Sequence, residues 1–501
     1  MKTARKLSIA AAAILVAMSS ASAASLKVGL QDDPDALDPA QGGTYAGRLV
    51  FEALCDKLVD VNNDLEVVPK LATEWSWNDD STELTLKLRE GVVYHDGTAF
   101  DATSVKANIE RMQTLDDSKR KGELSPVKEV TAVDPQTVIF KLDAPFAPLL
   151  SVLTDRAGMM VSTAAAEAAG DSFAAAPVCS GPFKFVERKA RDSIKLEKFA
   201  DYWNAGAIGY DSIEYLILPD STVRLSRLQA GDLDIAERIA PTDIQTVKGD
   251  NRLALHESPG LGISHLFINM RAESGSALAS HPELRQALEL SLDRNAINQV
   301  AFNGAFTADN QMLTPLSPFH SKGAAMPARD VEKAKELIAN SGVDMPTIEI
   351  TYENSLTDGR VAQMIQAMAG EAGFKVELLP LETSSAIERY LAGNFQLYIG
   401  NWSGRADPDP TLNTFFSSRG SQNLNGYSNA ELDELLSQAR SEVRQEERVA
   451  LYGKVTAILL NDLPTIPLYH PSWFYGAQAG VDGINIYPDG LLRLTGVKPA
   501  N

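Results

Sequence analysis

The chain contains few of the residues from which metal centres and redox sites are built. Its 501 residues include two cysteines and six histidines, too few cysteines for a four-thiolate zinc site, and no CxxC pair occurs. No two histidines stand at i, i+4 spacing, and the HExxH motif of helical zinc sites is absent. The sequence therefore predicts neither a metal ion nor another cofactor.

Motifs of covalent catalysis are also absent. The chain has no GxSxG nucleophile motif and no glycine-rich phosphate loop ending in Gly-Lys-Ser or Gly-Lys-Thr. Asp407 and Asp409 are two residues apart on a proline-containing turn, where two carboxylates rarely face each other across a glycoside. The sequence therefore predicts a binding protein and not an enzyme.

Long apolar runs are missing except at the N-terminus. Basic residues there precede an apolar run at 7–18, and small residues follow at 21–23, the pattern of a secretory signal peptide. The run is shorter than the roughly 20 residues that a spanning helix needs. No cysteine stands at the cleavage site, so no lipid anchor is expected. We expect residues 1–23 to be removed and the mature chain to reside in the periplasm of a Gram-negative bacterium.

Basic residues are fewer than acidic residues in this chain. The chain has 46 lysines and arginines against 66 aspartates and glutamates, which gives a formal net charge of −20. Such a field disfavours nucleic acid and anionic membrane surfaces as partners. The length predicts two to four domains.

Two cysteines in an exported chain predict a single disulfide. The bond would join Cys55, at the end of an early helical segment, to Cys179, beside the turn Ser180-Gly181-Pro182. Two buried free thiols are the alternative.

The stretch 401–410 reads Asn-Trp-Ser-Gly-Arg-Ala-Asp-Pro-Asp-Pro and combines a large ring, a guanidinium, two carboxylates and stiffening prolines. It follows the short apolar strand 397–400, and ligands of α/β proteins collect beyond the carboxyl ends of strands. This loop is therefore a candidate ligand contact. In the alternative interpretation it is a surface turn in which Arg405 pairs with Asp407 or Asp409.

Periodicity upstream of this loop predicts a βαβ unit. Apolar residues alternate at 348–352 and again at 374–378, and between them Asp358 is expected to cap a helix that ends at Gly373. Such a crossover implies parallel strands. A second candidate ligand loop is Gly42-Gly43-Thr44-Tyr45, where glycines allow close backbone approach; an ordinary turn before a helix is the alternative.

Several motifs, in order along the chain, resemble those of the peptide/nickel (family 5, oligopeptide and dipeptide type) solute-binding proteins of bacterial ABC importers. The resemblance covers essentially all of the mature chain. The matching segments are 51–54 (Phe-Glu-Ala-Leu), 69–75 (Pro-Lys-Leu-Ala-Thr-Glu-Trp), 86–97 (Leu-Lys-Leu-Arg-Glu-Gly-Val-Val-Tyr-His-Asp-Gly), 180–183 (Ser-Gly-Pro-Phe), 290–294 and 402–409.

The resemblance implies an α/β, two-lobed periplasmic-binding-protein fold (type II, cluster C) with an extra third domain. A first lobe would comprise residues 24–45, 178–262 and 477–501, the extra domain residues 46–177, and the second binding lobe residues 263–476. The lobes would close on a ligand, and a monomer would deliver it to the permease of an ABC importer.

The residues at the expected cargo-binding positions differ from those of dipeptide binders. Arg405 stands where those proteins carry the aspartate that pairs with the peptide amino group, and Tyr352 stands near the position of their carboxylate-binding arginine. We expect Arg405 to meet an anionic or polyhydroxyl part of the cargo. The predicted ligand-binding residues are Thr44, Tyr45, Tyr352, Asn401, Trp402, Arg405 and Asp407, with the two acids of 407–409 also fitting a framework role.

The sequence leaves the cargo open. A small peptide or peptide-like solute is the first hypothesis, and an opine, glycoside, glutathione-like molecule or metal complex is the alternative. A secreted hydrolase and a periplasmic chaperone are the competing classes of protein.

Overall fold

The computed structural model describes residues 24–500, so the predicted signal peptide lies outside the described residues. The first elements of the described residues are strand β1 (Ser25–Leu30) and helix α1 (Tyr45–Leu54). Apolar side chains of both elements share one core. This core belongs to the first lobe. No helix among residues 24–500 combines the length and apolar character needed to cross a membrane.

An extra domain follows α1. Its four-stranded antiparallel sheet has the order β4-β5-β7-β6, and a separate hairpin joins β2 to β3. The domain has a core of its own, distinct from that of the first lobe. Its elements are β2 (Val59–Val61), β3 (Val67–Pro69), β4 (Ala72–Trp77), β5 (Glu83–Leu88), α2 (Ala102–Thr114), α3 (Lys121–Leu124), β6 (Val127–Asp134), β7 (Thr137–Leu142), α4 (Leu149–Val152) and α5 (Thr163–Ala169).

A disulfide joins the two ends of this insertion. Cys55 and Cys179 are bonded, as the sequence predicts. Beside the bond, the amide of Gly181 donates to the carbonyl of Leu54 at 2.9 Å. The extra domain is therefore fastened to the first lobe where its chain leaves and returns.

The chain then completes most of the first-lobe sheet. β1 pairs in parallel with β10 and with β11, while β8 and β9 continue the sheet as an antiparallel edge. The elements are β8 (Phe183–Lys189), β9 (Ser193–Lys198), β10 (Ser212–Ile217), α6 (Ser221–Ala230), β11 (Ile235–Ala236), α7 (Ile244–Gly249) and β12 (Leu253–Pro259).

The second lobe is built on a six-stranded sheet of order β14-β18-β13-β17-β15-β16, with apolar clusters on both faces. Its elements are β13 (Ile263–Ile268), α8 (Pro282–Ser291), α9 (Arg294–Phe302), β14 (Thr307–Ala308), α10 (Val331–Ser341), β15 (Thr347–Glu353), α11 (Leu356–Ala372), β16 (Lys375–Leu381), α12 (Thr383–Leu391), β17 (Leu397–Trp402), α13 (Asp409–Phe416), α14 (Ala430–Ser441), α15 (Gln445–Asp462) and β18 (Thr465–His470).

The chain finally returns to the first lobe. β19 (Ser472–Gln478) pairs with β12 and β11, which completes a seven-stranded sheet of order β12-β19-β11-β1-β10-β9-β8. The short strands β20 (Val481–Asp482) and β21 (Lys498–Pro499) pair with each other near the end. Two α/β lobes and an extra domain confirm the predicted fold class.

The βαβ prediction is also confirmed, because β15 and β16 are parallel and α11 connects them. The predicted helix cap is wrong. Ser355 is the N-cap of α11 and accepts a hydrogen bond from the amide of Asp358 at 3.0 Å, while its hydroxyl donates to the Asp358 carboxylate at 2.8 Å. Both residue types favour N-caps, and the chain starts the helix three residues earlier than the apolar pattern indicates.

The predicted domain limits remain a prediction. Because β19 belongs to the first-lobe sheet, we propose moving the last limit from 477 to the link at Pro471, which lies between β18 and β19. The other crossing between the lobes is 260–262, between β12 and β13.

Candidate functional site

The two lobes present similar strand ends. In the first lobe, Asp32 follows parallel strand β1, and Glu237 and Arg238 follow parallel strand β11. In the second lobe, β15 ends at Glu353 and β17 ends at Trp402. Ligands of α/β sheets bind beyond such carboxyl ends. The candidate site is therefore the cleft between these two edges.

An aromatic pair forms the first-lobe wall. Tyr45 stacks on Trp473 with ring centroids 4.7 Å apart and an interplanar angle of 5°. The guanidinium of Arg238 lies over the Tyr45 ring at 4.9 Å. The hydroxyl of Tyr45 donates to the carbonyl of Gly490 at 2.7 Å, which fixes the ring. Tyr45, one of the predicted site residues, is therefore held in place, and the Arg238 guanidinium lies over its ring.

Glycine is required at position 490. Its φ is +78°, and a Cβ there would lie 2.3 Å from the Trp473 ring and 2.5 Å from the Tyr45 hydroxyl. Only a residue without a side chain lets the backbone approach the aromatic pair so closely.

Thr44 performs a structural task. Its hydroxyl oxygen caps α1 by accepting from the amide of Gly47 at 3.2 Å, and the hydroxyl donates to Asp35 at 3.0 Å. Burial raises the pKa of Asp35, but Lys119 and the amide of Gly43 outweigh it and lower the pKa to about 2. The Thr44 hydroxyl is thus engaged within the protein, and its contact with a ligand stays a prediction.

On the second lobe, Trp402 is half-buried. Its indole N–H donates to the Thr411 hydroxyl at 3.0 Å, and its ring packs edge-on against Phe415 at 5.1 Å. The guanidinium of Arg405 lies over the ring at 4.8 Å. The start of α13 therefore orients Trp402, and Arg405 covers part of its face.

Arg405 pairs with neither of the two aspartates in its own loop. Its Nε lies 2.8 Å from Oδ2 of Asp155, a residue of the extra domain. The other oxygen of Asp155 accepts from Nε of Arg48, on α1, at 3.1 Å. Burial raises the pKa of Asp155, but Arg48 and Arg405 outweigh it and hold that pKa well below its usual range. One carboxylate therefore contacts residues of both lobes.

Two further arginines lie near Arg48 and Arg405. Arg156 and Arg120 both donate to the carbonyl of Gly42, at 2.8 and 3.4 Å, and the Nε atom of each is buried without a hydrogen-bond partner. Burial, together with the charge of Arg120, lowers the pKa of Arg156 to about 9. We call Arg48, Arg120, Arg156 and Arg405 the arginine cluster. Its paired acids are Asp155 and Glu123, so the cluster has a net positive charge.

Asp407 and Asp409 hold the loop to the second lobe. Arg448 donates to both oxygens of Asp407, at 2.7 and 2.9 Å. Arg440 lies 3.1 Å from Asp409, whose pKa is nevertheless raised to about 6 because burial outweighs that pair. These contacts agree with a framework role, and a ligand contact of Asp407 stays a prediction.

The opposite part of the second-lobe edge is acidic. Burial, together with the neighbouring charges of Asp358 and Asp32, raises the pKa of Glu353 to about 7. Asn401 is exposed and lies close to Asp358. Tyr352 is 6% exposed and packs in the core of the second lobe. Ligand contacts of Asn401 and Tyr352 stay predictions.

Sequence reasoning missed the partners that come from distant parts of the chain. Arg48, Asp155, Arg156, Arg238 and Glu353 were not among the predicted site residues. The one available signal was the charged pair at 155–156, which stands among apolar residues and therefore has to find buried partners.

A separate cavity of about 350 Å³ lies beside α7, at the edge of the first-lobe sheet. Residues of both lobes line it, among them Lys248, Pro259, Asn303 and Phe474. None of the predicted site residues contributes to this cavity. We therefore keep the strand ends and the arginine cluster as the candidate site, because the predicted site residues and their charged partners lie there.

Two α/β lobes whose strand ends face a common cleft define a cleft-type solute-binding protein. The family model described as bacterial extracellular solute-binding proteins, family 5, middle region, matches residues 66–423. The chain belongs to this family, which confirms the resemblance seen in its motifs.

Individual relatives agree with this assignment. The glutathione-binding protein GsiB of Escherichia coli (strain K12) is 27% identical over 466 residues, which cover 90% of each chain. The structure of AgaA from A. tumefaciens R10, in complex with agropinic acid, matches with a TM-score of 0.85 and 26% identity over 95% of this chain and 99% of that one. DppA from Helicobacter pylori, in complex with the peptide STSA, has a TM-score of 0.87 and 24% identity, covering 95% and 98%.

Proposed function

We propose that this protein captures a small peptide or peptide-like solute between its lobes in the periplasm and delivers it to the permease of an ABC importer. It acts as a monomer and without catalytic turnover. The observation that carries the proposal is the pair of strand-end edges, which bring a stacked aromatic pair, the arginine cluster and an acidic edge to one cleft.

The charges of the cleft favour a solute that has both a carboxylate and a cationic group. Arginine offers five N–H donors that match carboxylates. Arg405 uses Nε for Asp155, and its Nη1 donates to the Ser403 hydroxyl and to the carbonyl of Gly404. A cationic group of the solute suits Glu353 and Asp358, whose like charges repel each other. Tyr45 and Trp402 would pack against the body of the solute.

A glutathione-like solute or an opine is the second candidate. The relatives with glutathione in their names and the structure bound to agropinic acid support it, since both match nearly the whole chain. Such solutes also carry carboxylates, so the same arginines suit them.

The test is thermal unfolding of the purified protein with glutathione, dipeptides, tetrapeptides, their C-amidated and N-acetylated forms, and agropinic acid. We expect saturable stabilisation by at least one of them without product formation. Amidation of the carboxylate should weaken this stabilisation. Turnover would support the hydrolase. Binding to unfolded chains without stabilisation by small solutes would support the chaperone.

Calorimetry then tests the role of Arg405 with the solute so found. We expect Arg405→Ala to weaken affinity by about tenfold or more, since it removes a charged hydrogen bond worth roughly 1.5–3 kcal/mol. The matched control is Arg419→Ala, because Arg419 is an exposed arginine of the same lobe. Unchanged affinity of Arg405→Ala would mean that its pair with Asp155 is purely structural.

A further inference from the structure

Arg238 stands at the first-lobe edge of the cleft in an unusual backbone conformation. It follows β11, which pairs in parallel with β1, and the amide of the preceding Glu237 donates to the carbonyl of Gly29 at 3.0 Å. The φ of Arg238 is +50°, in the left-handed region that residues other than glycine rarely adopt. Such strained positions are concentrated at functional sites, so we asked what holds this residue and what its side chain contacts.

Hydrogen bonds from two other segments hold the backbone around Arg238. Arg224, which is 1% exposed, donates from Nε to the carbonyl of Glu237 at 3.0 Å and from Nη2 to the carbonyl of Arg238 at 3.2 Å. The amide of Ile239 donates to the carbonyl of Phe474 at 2.9 Å. These bonds keep the left-handed turn in place and therefore fix the position from which the Arg238 side chain extends.

The guanidinium of Arg238 contacts the protein through its face and its Nε. It lies over the rings of Tyr45 and Trp473, at 4.9 and 5.5 Å from their centroids. Nε lies 3.0 Å from Oε1 of Glu237, a carboxylate that is 1% exposed. In the described part of the chain, neither Nη1 nor Nη2 has a hydrogen-bond acceptor, and the Arg238 side chain is 34% exposed. The edge formed by Nη1 and Nη2 is therefore open.

Other arginines of this protein use the same edge to bind a carboxylate. Arg448 donates from Nη1 and Nη2 to the two oxygens of Asp407. Arg493 donates in the same way to the two oxygens of Asp489. Parallel N–H groups of a guanidinium match the two oxygens of a carboxylate. The open edge of Arg238 therefore suits a carboxylate that a solute supplies.

Tyr45 lies near both Arg238 and the arginine cluster. Arg238 covers the Tyr45 ring, and Arg48 of the cluster follows three residues later on α1, one helical turn away. Burial and Glu237 raise the pKa of Tyr45, and the charges of Arg238 and Arg48 both oppose that rise. The two guanidinium groups have different partners, because Arg48 binds Asp155 whereas Arg238 keeps its open edge. The cleft therefore has two separate places for a carboxylate.

We propose, on the basis of the function proposed above, that Arg238 binds one carboxylate of the solute and that the arginine cluster receives a second one. The cargo is then a dicarboxylate, and Arg238 is the residue that selects it. A peptide with one carboxylate would leave either Arg238 or the cluster without an anion.

The acids near Arg238 indicate what stands beside the first carboxylate. Asp32 follows β1 at the same edge. The charge of Arg238 also opposes the rise in the pKa of Glu353 that burial, Asp358 and Asp32 cause. These acids would repel an isolated carboxylate, whereas an amino-acid head, with an ammonium group and a carboxylate on one carbon, matches both charges. The arrangement therefore favours a γ-glutamyl compound over an ordinary peptide.

The first experiment needs no variant. Calorimetry of the purified protein compares glutathione, γ-glutamylglycine and Ala-Glu, which have two carboxylates, with Ala-Gln, which has the shape of Ala-Glu but only one. Each carboxylate of the most tightly bound dicarboxylate is then amidated in turn. We expect γ-glutamyl compounds to bind best, Ala-Glu to bind more tightly than Ala-Gln, and each amidation to weaken affinity by about tenfold or more.

The outcomes separate this proposal from the proposed function. If Ala-Gln or another solute with one carboxylate binds at least as tightly as every dicarboxylate, or if only one of the two amidations matters, the second anchor is refuted and the proposed function stands. If no solute of this set or of the wider panel above binds, both proposals fail.

The second experiment assigns the anchor. Arg238→Gln should weaken binding of the dicarboxylate by about tenfold. Amidation of the carboxylate that Arg238 binds should then have no further effect, while amidation of the other should still weaken binding. Arg227→Gln is the matched control, because Arg227 is an exposed arginine of α6 in the same lobe, and it should behave as the wild type.

Unchanged affinity of Arg238→Gln, or additive effects of this change with both amidations, would refute the role of Arg238. Circular dichroism checks that the variant is folded. If it is not, Arg238→Met takes its place, since methionine keeps an unbranched apolar chain over the two rings but has no charge. The two amidations of the solute decide on the unmodified protein whether two carboxylates are required.

Discussion

Arg405 and Asp155 form an ion pair, Nε to Oδ2 at 2.8 Å, that joins the loop 401–410 of the second lobe to the extra domain. Because Arg48 of the first lobe binds the other oxygen of the same carboxylate, the three parts of the molecule meet at Asp155. The pair therefore fixes the position of the Arg405 guanidinium, which lies over the Trp402 ring.

We expect Asp155→Asn to destabilise the protein strongly. The change leaves the buried guanidinium groups of Arg48 and Arg405 without their anion, which costs about 3–5 kcal/mol in comparable buried pairs. Urea unfolding of the variant measures the loss. Asp143→Asn is the control, because Asp143 pairs with Lys128 on the surface, where both side chains are more than 65% exposed; its loss should stay below about 1 kcal/mol. Equal effects of the two changes would contradict this account.

Glu353 should make stability depend on pH in an unusual direction. Its pKa rises from 4.5 to about 7 on folding, so the folded protein keeps a proton that the unfolded chain has already released. The contribution of this group therefore stabilises at low pH and is lost as pH rises through about 7. Thermal unfolding between pH 4.5 and 7.5 should show this decline in the wild type and a flatter profile in Glu353→Gln. Glu349→Gln, on the same strand, serves as the control and should keep the wild-type slope.

Reduction of the disulfide should lower the unfolding temperature. Cys55 and Cys179 are 124 residues apart, and closing a loop of that length stabilises by about 4–5 kcal/mol in the chain-entropy model. Differential scanning calorimetry with and without a phosphine reductant measures the effect. The double variant Cys55→Ser/Cys179→Ser should unfold at the lower temperature and ignore the reductant. A reductant effect in the double variant would show that another cause is involved.

Gly404→Ala should disturb the site without touching a charge. Gly404 has φ +72°, and a Cβ there would lie 2.0 Å from the carbonyl oxygen of Leu261, in the crossing between β12 and β13. The loop would have to move away from this crossing, and we expect solute affinity to fall by about tenfold, or roughly 1.4 kcal/mol. Gly453→Ala is the matched control, because nothing lies within 4 Å of a Cβ at that position of α15. Calorimetry measures the solute affinity of both variants. Equal affinities of Gly404→Ala and Gly453→Ala would contradict the prediction.

Much of the fold was predictable because it depends on local patterns. The alternation in β15 and β16 and the apolar face of α11 specify a parallel unit, whichever residues surround it. The loop 401–410 was predictable as a strand-end loop for the same reason. The start of α11 was placed wrongly, since Ser355 and Asp358 are both good caps and only the folded backbone selects between them.

The roles of the charged residues depend on contacts between distant segments. From the sequence, Arg405 had two acidic neighbours within four residues, yet Arg448 and Arg440 take those acids, and Arg405 reaches Asp155 instead. Charged and hydrogen-bonding groups pair with the partners that lie near them after the domains have packed. The separation of two residues in the sequence does not predict these pairs.

From the sequence alone, the periodicity predicted the βαβ unit, the two cysteines of an exported chain predicted one disulfide, and the motifs that resemble family 5 implied a two-lobed binding protein, because all of these can be read from residue types and from neighbouring residues. Tertiary structure decided which groups meet: Asp155 between the arginines, Tyr45 on Trp473, and Arg238 over both of these rings. Burial is the physical reason, because a charge or a polar group removed from water must find its partner in the protein, wherever the chain supplies one.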